Sequence, residues 1–375
     1  MILSDVQRAI RDTVREMAQE QIRPHSARFA EDGGYPRQLF EDLAQLGLMG
    51  MTAPEHAGGA AAVYVSYALA LIEIAAADGA LSTIVSIQNS IMVSGILKDG
   101  TPAQQARWLP ELTSGRMIGA FALTESDAGS DAAAIRTTAT RVDGGWRLNG
   151  AKQFITSGRI AGVAMVIAVT DPAAGRKGIS AFLVPTDTPG YIVDKVEHKL
   201  GQTASDTCAL RFEDCFVPEE SLLGEEGRGY AIALANLEAG RIGIAAQAVG
   251  MAQAALDIAI AYARDRSSFG KPIIEHQAVG FRLADLATRL EASRQLVLHA
   301  AALKDEGEPA LAAASMAKLF ASEAAEAIVS GAIQTLGGYG YLEEFGLARI
   351  YRDVRVCQIY EGTSDIQRMV IARGL

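Results

Sequence analysis

The sequence predicts an α+β chain of three parts, all-α, then an antiparallel β-domain, then all-α again. Three observations carry this prediction. Apolar residues recur at helical intervals as far as about residue 117, short β-branched runs broken by turn signals fill 118–227, and alanine-rich helical stretches occupy 228–375. At roughly 100–200 residues per domain, a chain of 375 residues holds two or three domains. The zoning sets them at 1–117, 118–227 and 228–375.

In the first zone Ser4 is a good N-cap type, and Val6, Ile10, Val14, Met17 and Ile22 follow on one helical stripe. Breaks at Asp32-Gly33-Gly34, 54–59, Asp78-Gly79 and 99–102 divide the zone into about five helices. The stretches after Gly59 and Gly79 are almost wholly apolar, as buried helices are. Residues 79–97 are uncharged, yet they include Ser82, Thr83, Ser86, Gln88, Asn89, Ser90 and Ser94. A membrane span needs about 20 predominantly apolar residues, so a core helix is the expectation there.

In the second zone, candidate strands at 135–142, 146–148, 163–169, 179–184 and 207–217 are punctuated by turn signals. These are Asp143-Gly144-Gly145, Asn149-Gly150, Ser157-Gly158 and Pro189-Gly190. No helical stretch separates them, hence the expected antiparallel pairing. In the third zone, helices are predicted at 231–264, 276–299 and 310–335. The second of these carries Leu283, Leu286, Leu290 and Val297 on one stripe. Abundant Ala and Gly there let helix axes approach closely.

Composition narrows the function classes. With 34 basic and 44 acidic residues the net charge is −10, unsuited to a phosphate backbone, so nucleic acid is not expected as the partner. Cys208, Cys215 and Cys357 are scattered without CxxC spacing, and the five histidines form no HxH or HxxxH. Neither a disulfide scaffold nor a metal site is expected. The N-terminal stretch is charged from Asp5 onward and has no apolar signal core. The expectation is a cytoplasmic protein without membrane insertion.

Four segments carry candidate chemistry. Glu361, in Ile359-Tyr360-Glu361-Gly362-Thr363-Ser364-Asp365, stands at a break before a helix that Thr363 or Ser364 would cap. A poorly hydrated carboxylate there would have a raised pKa and suit general-base work; an exposed helix-end glutamate fits the same residues. Phe121 to Asp131 runs from a strand into a loop holding Gly129 and Ser130, able to present N–H groups to an anion, or simply a solvated turn. Beside it, Phe154-Ile155-Thr156 pairs a flat aromatic with a hydroxyl. Arg264 to Pro272 offers two arginines and a lysine to a pyrophosphate, or favourable cations to a helix C-terminus. The glycine-rich break from Gln334 to Tyr341 has neither GxGxxG nor GK[ST], so it supports no βαβ dinucleotide site and no P-loop.

Taken together and in this order, the motifs TESDAGSD at 124–131, RSSFGKPI at 266–273, QTLGGYGY at 334–341 and IYEGTSDIQR at 359–368 resemble the acyl-CoA dehydrogenase family. The resemblance implies an N-terminal helical domain, a middle β-domain and a C-terminal four-helix bundle, assembled as a homotetramer with FAD as cofactor. It implies Glu361 as the base that lifts the α-proton of an acyl-CoA while the β-hydrogen passes to the flavin. The thioester oxygen would be held by the backbone N–H of Glu361 and a flavin hydroxyl. An electron-transfer flavoprotein is the implied electron acceptor.

By motif position, Phe121, Leu123, Thr124, Gly129, Ser130, Ile155 and Thr156 would face FAD, with Phe154 packed on its ring. Arg266, Phe269 and Gln277 would hold pyrophosphate and adenosine, joined by Gln334, Gly337 and Gly338 from a neighbouring subunit. Thr363 and Asp365 would lie beside the flavin, and Ser130, Glu238, Arg241, Tyr360 and Gly362 would contact the acyl-CoA. Three departures stand out. Ser126-Asp127 replaces a common Pro-Gly, which would loosen the flavin loop. Glu238 replaces a usual Asp. Gly240 stands where isovaleryl-type relatives carry their base, which assigns this chain to the majority type. The stretches 86–90 and 240–245 look most like short-chain and short branched-chain members. A flavin oxidase and a silent scaffold are the competing readings, and an intact Glu361 counts against both.

Overall fold

The computed structural model describes residues 1–375. Its N-terminal region contains α1 (Asp5–Met17), α2 (Ser26–Asp32), α3 (Arg37–Gln45), α4 (Tyr64–Ala77), α5 (Gly79–Ile87), α6 (Ser94–Asp99) and α7 (Pro102–Thr113). Ser4 caps α1 as expected. Its hydroxyl accepts from the Gln7 N–H at 3.2 Å, and the Gln7 side chain accepts from the Ser4 N–H at 2.9 Å. The five expected helical stretches are present, but π-helical turns at Ala18–Ile22 and Gln88–Val93 subdivide two of them. α4 and α5 are buried almost throughout. Gly79–Asp99 and Gly229–Asp265 are long and apolar enough to cross a membrane, and both are mostly buried among other elements, as core helices are.

The middle region is one sheet of β1 (Gly119–Ala122), β2 (Thr138–Val142), β3 (Gly145–Thr156), β4 (Val163–Val169), β5 (Ile179–Pro185), β6 (Tyr191–Val196), β7 (Thr207–Pro218) and β8 (Leu222–Leu223). The order is β6-β7-β3-β2-β4-β5-β8, with β1 beside β4. Pairing is antiparallel except for β1 with β4 and β2 with β4, which run parallel. The strand expected to lead into the loop at Phe121 is β1, whereas β6 and β8 were not among the expected strands.

Asn149-Gly150, expected as a turn, lies inside β3 at a break in its register with β7. Gly150 has φ +143°, and a Cβ there would approach Thr137 Cα to 2.7 Å, so the glycine permits the irregularity. A second register break between Lys152 and Ile155 contains Phe154 at φ +61°. The phenyl ring is thereby turned outward and is 62% exposed.

The C-terminal region comprises α8 (Gly229–Asp265), the small hairpin β9 (Ser267–Ser268) and β10 (Lys271–Pro272), α9 (Gln277–Asp305), α10 (Leu311–Leu336), α11 (Leu347–Val354) and α12 (Ser364–Ala372). α8, α9 and α10 pack on one another, and α12 lies against α10. The striped leucines of α9 are buried as expected. α4 from the N-terminal region packs across both α8 and α9, so one hydrophobic core joins the two helical regions. Two smaller cores sit on the sheet, one against α7 and the start of α8, the other around Trp146 and Phe182.

Candidate functional site

Between α11 and α12 the chain turns sharply at Tyr360-Glu361-Gly362. Glu361 has φ +53° and Gly362 φ +88°. A left-handed conformation at a non-glycine residue costs of order 1–3 kcal/mol and persists only where its surroundings impose it. Here the surroundings do so from three sides. Lys318 on α10, fully buried, donates from Nζ to the Tyr360 carbonyl at 2.9 Å and the Gly362 carbonyl at 2.6 Å. Gln367 on α12 donates to the Gly362 carbonyl at 2.8 Å and the Glu361 carbonyl at 3.3 Å. The Tyr360 hydroxyl donates to Gln247 Oε1 and receives the Gln202 amide at 3.4 Å, tying the turn to α8 and the β-domain. Thr363 caps α12, its hydroxyl accepting from the Ile366 N–H at 3.3 Å.

The Glu361 carboxylate points at Gly240 on α8. A Cβ at 240 would lie 1.9 Å from Oε2, so a side chain there and a carboxylate from 361 exclude one another. Oε2 is buried and has no hydrogen-bond partner. Burial pushes the acid up to about 7, against the pull of the Lys318 and Arg241 charges. Arg241 is itself buried and in no ion pair, and its Nε is unpartnered. Desolvation lowers its pKa, opposed by Glu361 and Glu238. Glu238 is engaged elsewhere, 3.1 Å from Lys304. Among protein groups the Glu361 N–H has no acceptor. A buried bare carboxylate oxygen and a free N–H on one turn, with a buried cation on the facing helix, call for a ligand to complete them.

The β-domain supplies a second face. Lys152 on β3, also fully buried, donates to the Leu123 carbonyl at 2.9 Å and to Glu125 Oε1 at 2.8 Å. Glu125 accepts further from the N–H groups of Arg136 at 2.7 Å and Thr137 at 2.9 Å. Burial pushes the Glu125 carboxyl up, but Lys152 and these donors outweigh it and hold it below the usual range. Burial lowers Lys152 to about 8, opposed by Glu125. The Gln153 N–H also donates to the Thr124 carbonyl at 2.8 Å.

The loop from 123 to 130 is therefore clamped to β3, leaving Gly129 and Ser130 exposed and Thr124 and Thr156 half-buried. Ser126-Asp127 does not open it. Glu125 and Ala128 exchange backbone hydrogen bonds of 3.1 Å each, closing the turn without Pro-Gly. The Leu123 and Ile155 side chains belong to the hydrophobic cores, and Phe121 packs at the edge of one. Those three have only their backbone or a flank to offer a ligand.

A third surface joins the ends of α8 and α10. Arg266, Gln334, Gly337 and Gly338 line one pocket of about 430 Å³ together with Tyr262 and Tyr339. The expectation that assigned Arg266 and the Gln334–Gly338 group to different subunits is corrected here. Because α8 and α10 pack side by side, their C-terminal ends belong to one pocket of one chain. Phe269 stands beside it at φ +51°, 97% exposed, and Gln277 opens α9 on the surface outside the pocket lining. Asp365 is exposed in the first turn of α12.

Sequence reasoning missed Lys152, Lys318 and Gln367. One signal existed for Lys318, the single charge in the otherwise apolar and small run from 311 to 322. Nothing comparable distinguished Lys152 in a polar strand.

Family models for the acyl-CoA dehydrogenase N-terminal, middle and C-terminal domains match residues 4–116, 120–215 and 227–375. The chain is 47% identical over 374 residues to the mitochondrial short-chain specific acyl-CoA dehydrogenase of Bos taurus, covering 100% of this chain and 90% of that one. Among solved structures, butyryl-CoA dehydrogenase from Megasphaera elsdenii superposes with a TM-score of 0.97 at 40% identity, covering 100% of this chain and 99% of the other. A glutaryl-CoA dehydrogenase from Mycobacterium smegmatis in complex with FADH2 superposes with a TM-score of 0.94 at 34% identity, covering 99% and 95%.

Proposed function

The chain belongs to the acyl-CoA dehydrogenase family of FAD-dependent oxidoreductases, and from that premise we propose that Glu361 is its catalytic base and a short acyl-CoA thioester its substrate. The observation that carries the proposal is the buried, unpartnered Glu361 Oε2, facing the space that Gly240 leaves open.

The residues present fit the flavin. Phe154 offers an exposed aromatic face, the loop from 123 to 130 offers backbone and hydroxyls, and the Arg266 pocket offers a cation to a pyrophosphate. Leu123, Thr124, Phe154 and Thr156 would hold the ring, with Thr363 and Asp365 beside it. Arg266, Gln334, Gly337 and Gly338 would hold the adenosine end, with Phe269 and Gln277 flanking them. When bound, FAD supplies the acceptor for the substrate's β-hydride.

An α-C–H beside a thioester is a weak acid, so its removal needs a base of matched pKa and a donor for the oxygen that gains charge. Glu361, pushed up to about 7 by burial, is that base. Its own free N–H, on the same turn, is the donor. Arg241, buried and unpaired beside it, would favour the anionic CoA ligand. Short substrates are supported by bulk close to the base: Gly243, one turn along α8 from Gly240, abuts Ser86 and the Tyr67 hydroxyl. We also propose a homotetramer, with an electron-transfer flavoprotein reoxidising the flavin.

The test is to purify the protein, record its flavin spectrum and mix it anaerobically with butyryl-, octanoyl- and isovaleryl-CoA. Bleaching by butyryl-CoA that Glu361→Gln abolishes supports the reading. Equal bleaching by the variant overturns the base assignment, and preference for octanoyl-CoA overturns the substrate.

A further inference from the structure

We infer that Lys318 is the positioning residue of the base: its ammonium group pins the left-handed turn through the carbonyls on both sides of Glu361 and supplies a fixed charge against which that carboxylate ionises. The inference rests on the reading of Glu361 as the base.

Lys318 sits in the first third of α10, a helix that is otherwise apolar or small where it is buried. Burying an ammonium group costs several kcal/mol unless other groups compensate it. Proteins usually compensate with a carboxylate in contact, as Lys152 does with Glu125 at 2.8 Å. Lys318 makes no ion pair at all. Its two hydrogen bonds go to the Tyr360 and Gly362 carbonyls, 2.9 and 2.6 Å away, which are the immediate neighbours of Glu361.

The first bond fixes the peptide plane that precedes Glu361 and the second the plane that follows Gly362, so together they bracket the two left-handed residues of the turn that aims the Glu361 carboxylate at Gly240. A neutral donor would serve the carbonyls at a smaller desolvation cost. The positive charge therefore needs a further account, and the charges around it supply one. The charges acting on Glu361 are Lys318 from α10 and Arg241 from α8; Tyr67 from α4 and Tyr360 from its own segment feel its charge in turn, while Glu238 on α8 acts on Arg241 and Cys357 on Lys318. Only Lys318 and Arg241 are cations, and the only other carboxylate, Glu238, is held by Lys304. Burial lowers Lys318 to about 8, a loss opposed by Cys357 and Glu361 and deepened by Arg241. Arg241 lies on the helix that faces the substrate space. Lys318 is enclosed beneath the turn, so its charge stays on the base whether or not substrate is bound.

Three variants separate its roles. Lys318→Gln keeps a donor and loses the charge, Lys318→Arg keeps the charge, and Lys318→Met loses both. The readout is the rate of flavin reduction by butyryl-CoA against pH, with bound flavin and unfolding temperature measured alongside. Losing the nearby opposing charge should move the acid limb of the Lys318→Gln rate profile upward by about 1 pH unit. Its high-pH plateau should stay within a few-fold of the wild type, and its KM should hardly move. Lys318→Arg should return the limb to its original place. Lys318→Met should lose about ten-fold or more in rate at every pH while retaining flavin, because the base is no longer aimed. A limb in Lys318→Gln identical to the wild type, with flavin bound and the unfolding temperature preserved, overturns the inference. If Lys318→Met does not fold, the Gln and Arg pair decides alone. Failure of the base assignment is a separate result, read from unimpaired reduction by Glu361→Gln.

Discussion

Lys152 and Lys318 are both fully buried, and both donate to backbone carbonyls of a site segment, Leu123 in one case and Tyr360 with Gly362 in the other. They differ in what answers their charge. Lys152 touches Glu125, and Glu125 is further satisfied by two backbone N–H groups, so charge and hydrogen bonds close on themselves. Lys318 touches no carboxylate, and Glu361, which it supports, keeps a bare buried oxygen. The closed arrangement around Lys152 clamps the loop from 123 to 130 to β3. The open arrangement around Lys318 leaves one acid at a pKa near neutrality, where it can exchange a proton. The same buried side chain thus closes a charge network or leaves one open, according to whether its countercharge is in contact.

The strongest break of this contrast is Glu361→Gln, which should lower flavin reduction about 10²–10⁴-fold while flavin stays bound, because it removes proton transfer and keeps the shape. Stopped-flow absorbance checks this. Next is Lys152→Met, which strands Glu125 as an unpaired buried charge and should cost about 3–5 kcal/mol. It should appear as a fall in unfolding temperature and a lower flavin-to-protein absorbance ratio, whereas removing Lys318 should affect rate more than flavin content. Gly240→Ala should cost about 1–3 kcal/mol by overpacking, with a larger proportional loss in kcat, since its Cβ would occupy the place of Glu361 Oε2. Kinetics and thermal unfolding on one preparation separate the two effects.

A further expected effect is on stability against pH. Because the folded pKa of Glu361 is raised from 4.5 to about 7, the folded state binds the proton more tightly than the unfolded chain. Stability is therefore lost as pH rises through that window. Glu361→Gln is free of this loss, so it should unfold at a higher temperature than the wild type at pH 8 and at a similar one at pH 5. The opposite order would mean that the carboxylate is compensated in the fold, as Glu125 is.

Legibility in the sequence followed the range of the interactions. The caps at Ser4 and Thr363 rest on neighbours within one helical turn, and the apolar runs of α4 and α5 and the α9 leucine stripe are patterns of the chain itself, so all were readable. β6 and β8 were missed because both lie at the edges of the sheet, β6 with half-buried and exposed residues and β8 with only two. Asn149-Gly150 was misread because its partners lie elsewhere in the chain. Its local signal is a turn, but pairing with β7 and contact with Thr137 make it a bulge. At the site, Glu361 was legible through its motif. Its raised pKa was legible only as a condition, since burial depends on α8 and α10, which arrive from elsewhere.

By itself the sequence determined the α–β–α order, the family, and which residue types stand at the chemically important positions, because periodicity and contiguous motifs are properties of the chain alone. Tertiary structure decided everything that depends on proximity. It merged the two helical regions into one core and joined Arg266 to Gln334 in one pocket. It also set Gly240 against Glu361 and placed a lysine beneath each half of the site. The physical reason is that desolvation, excluded volume and charge act through space, over a few ångströms between residues that are tens to hundreds of positions apart in the chain.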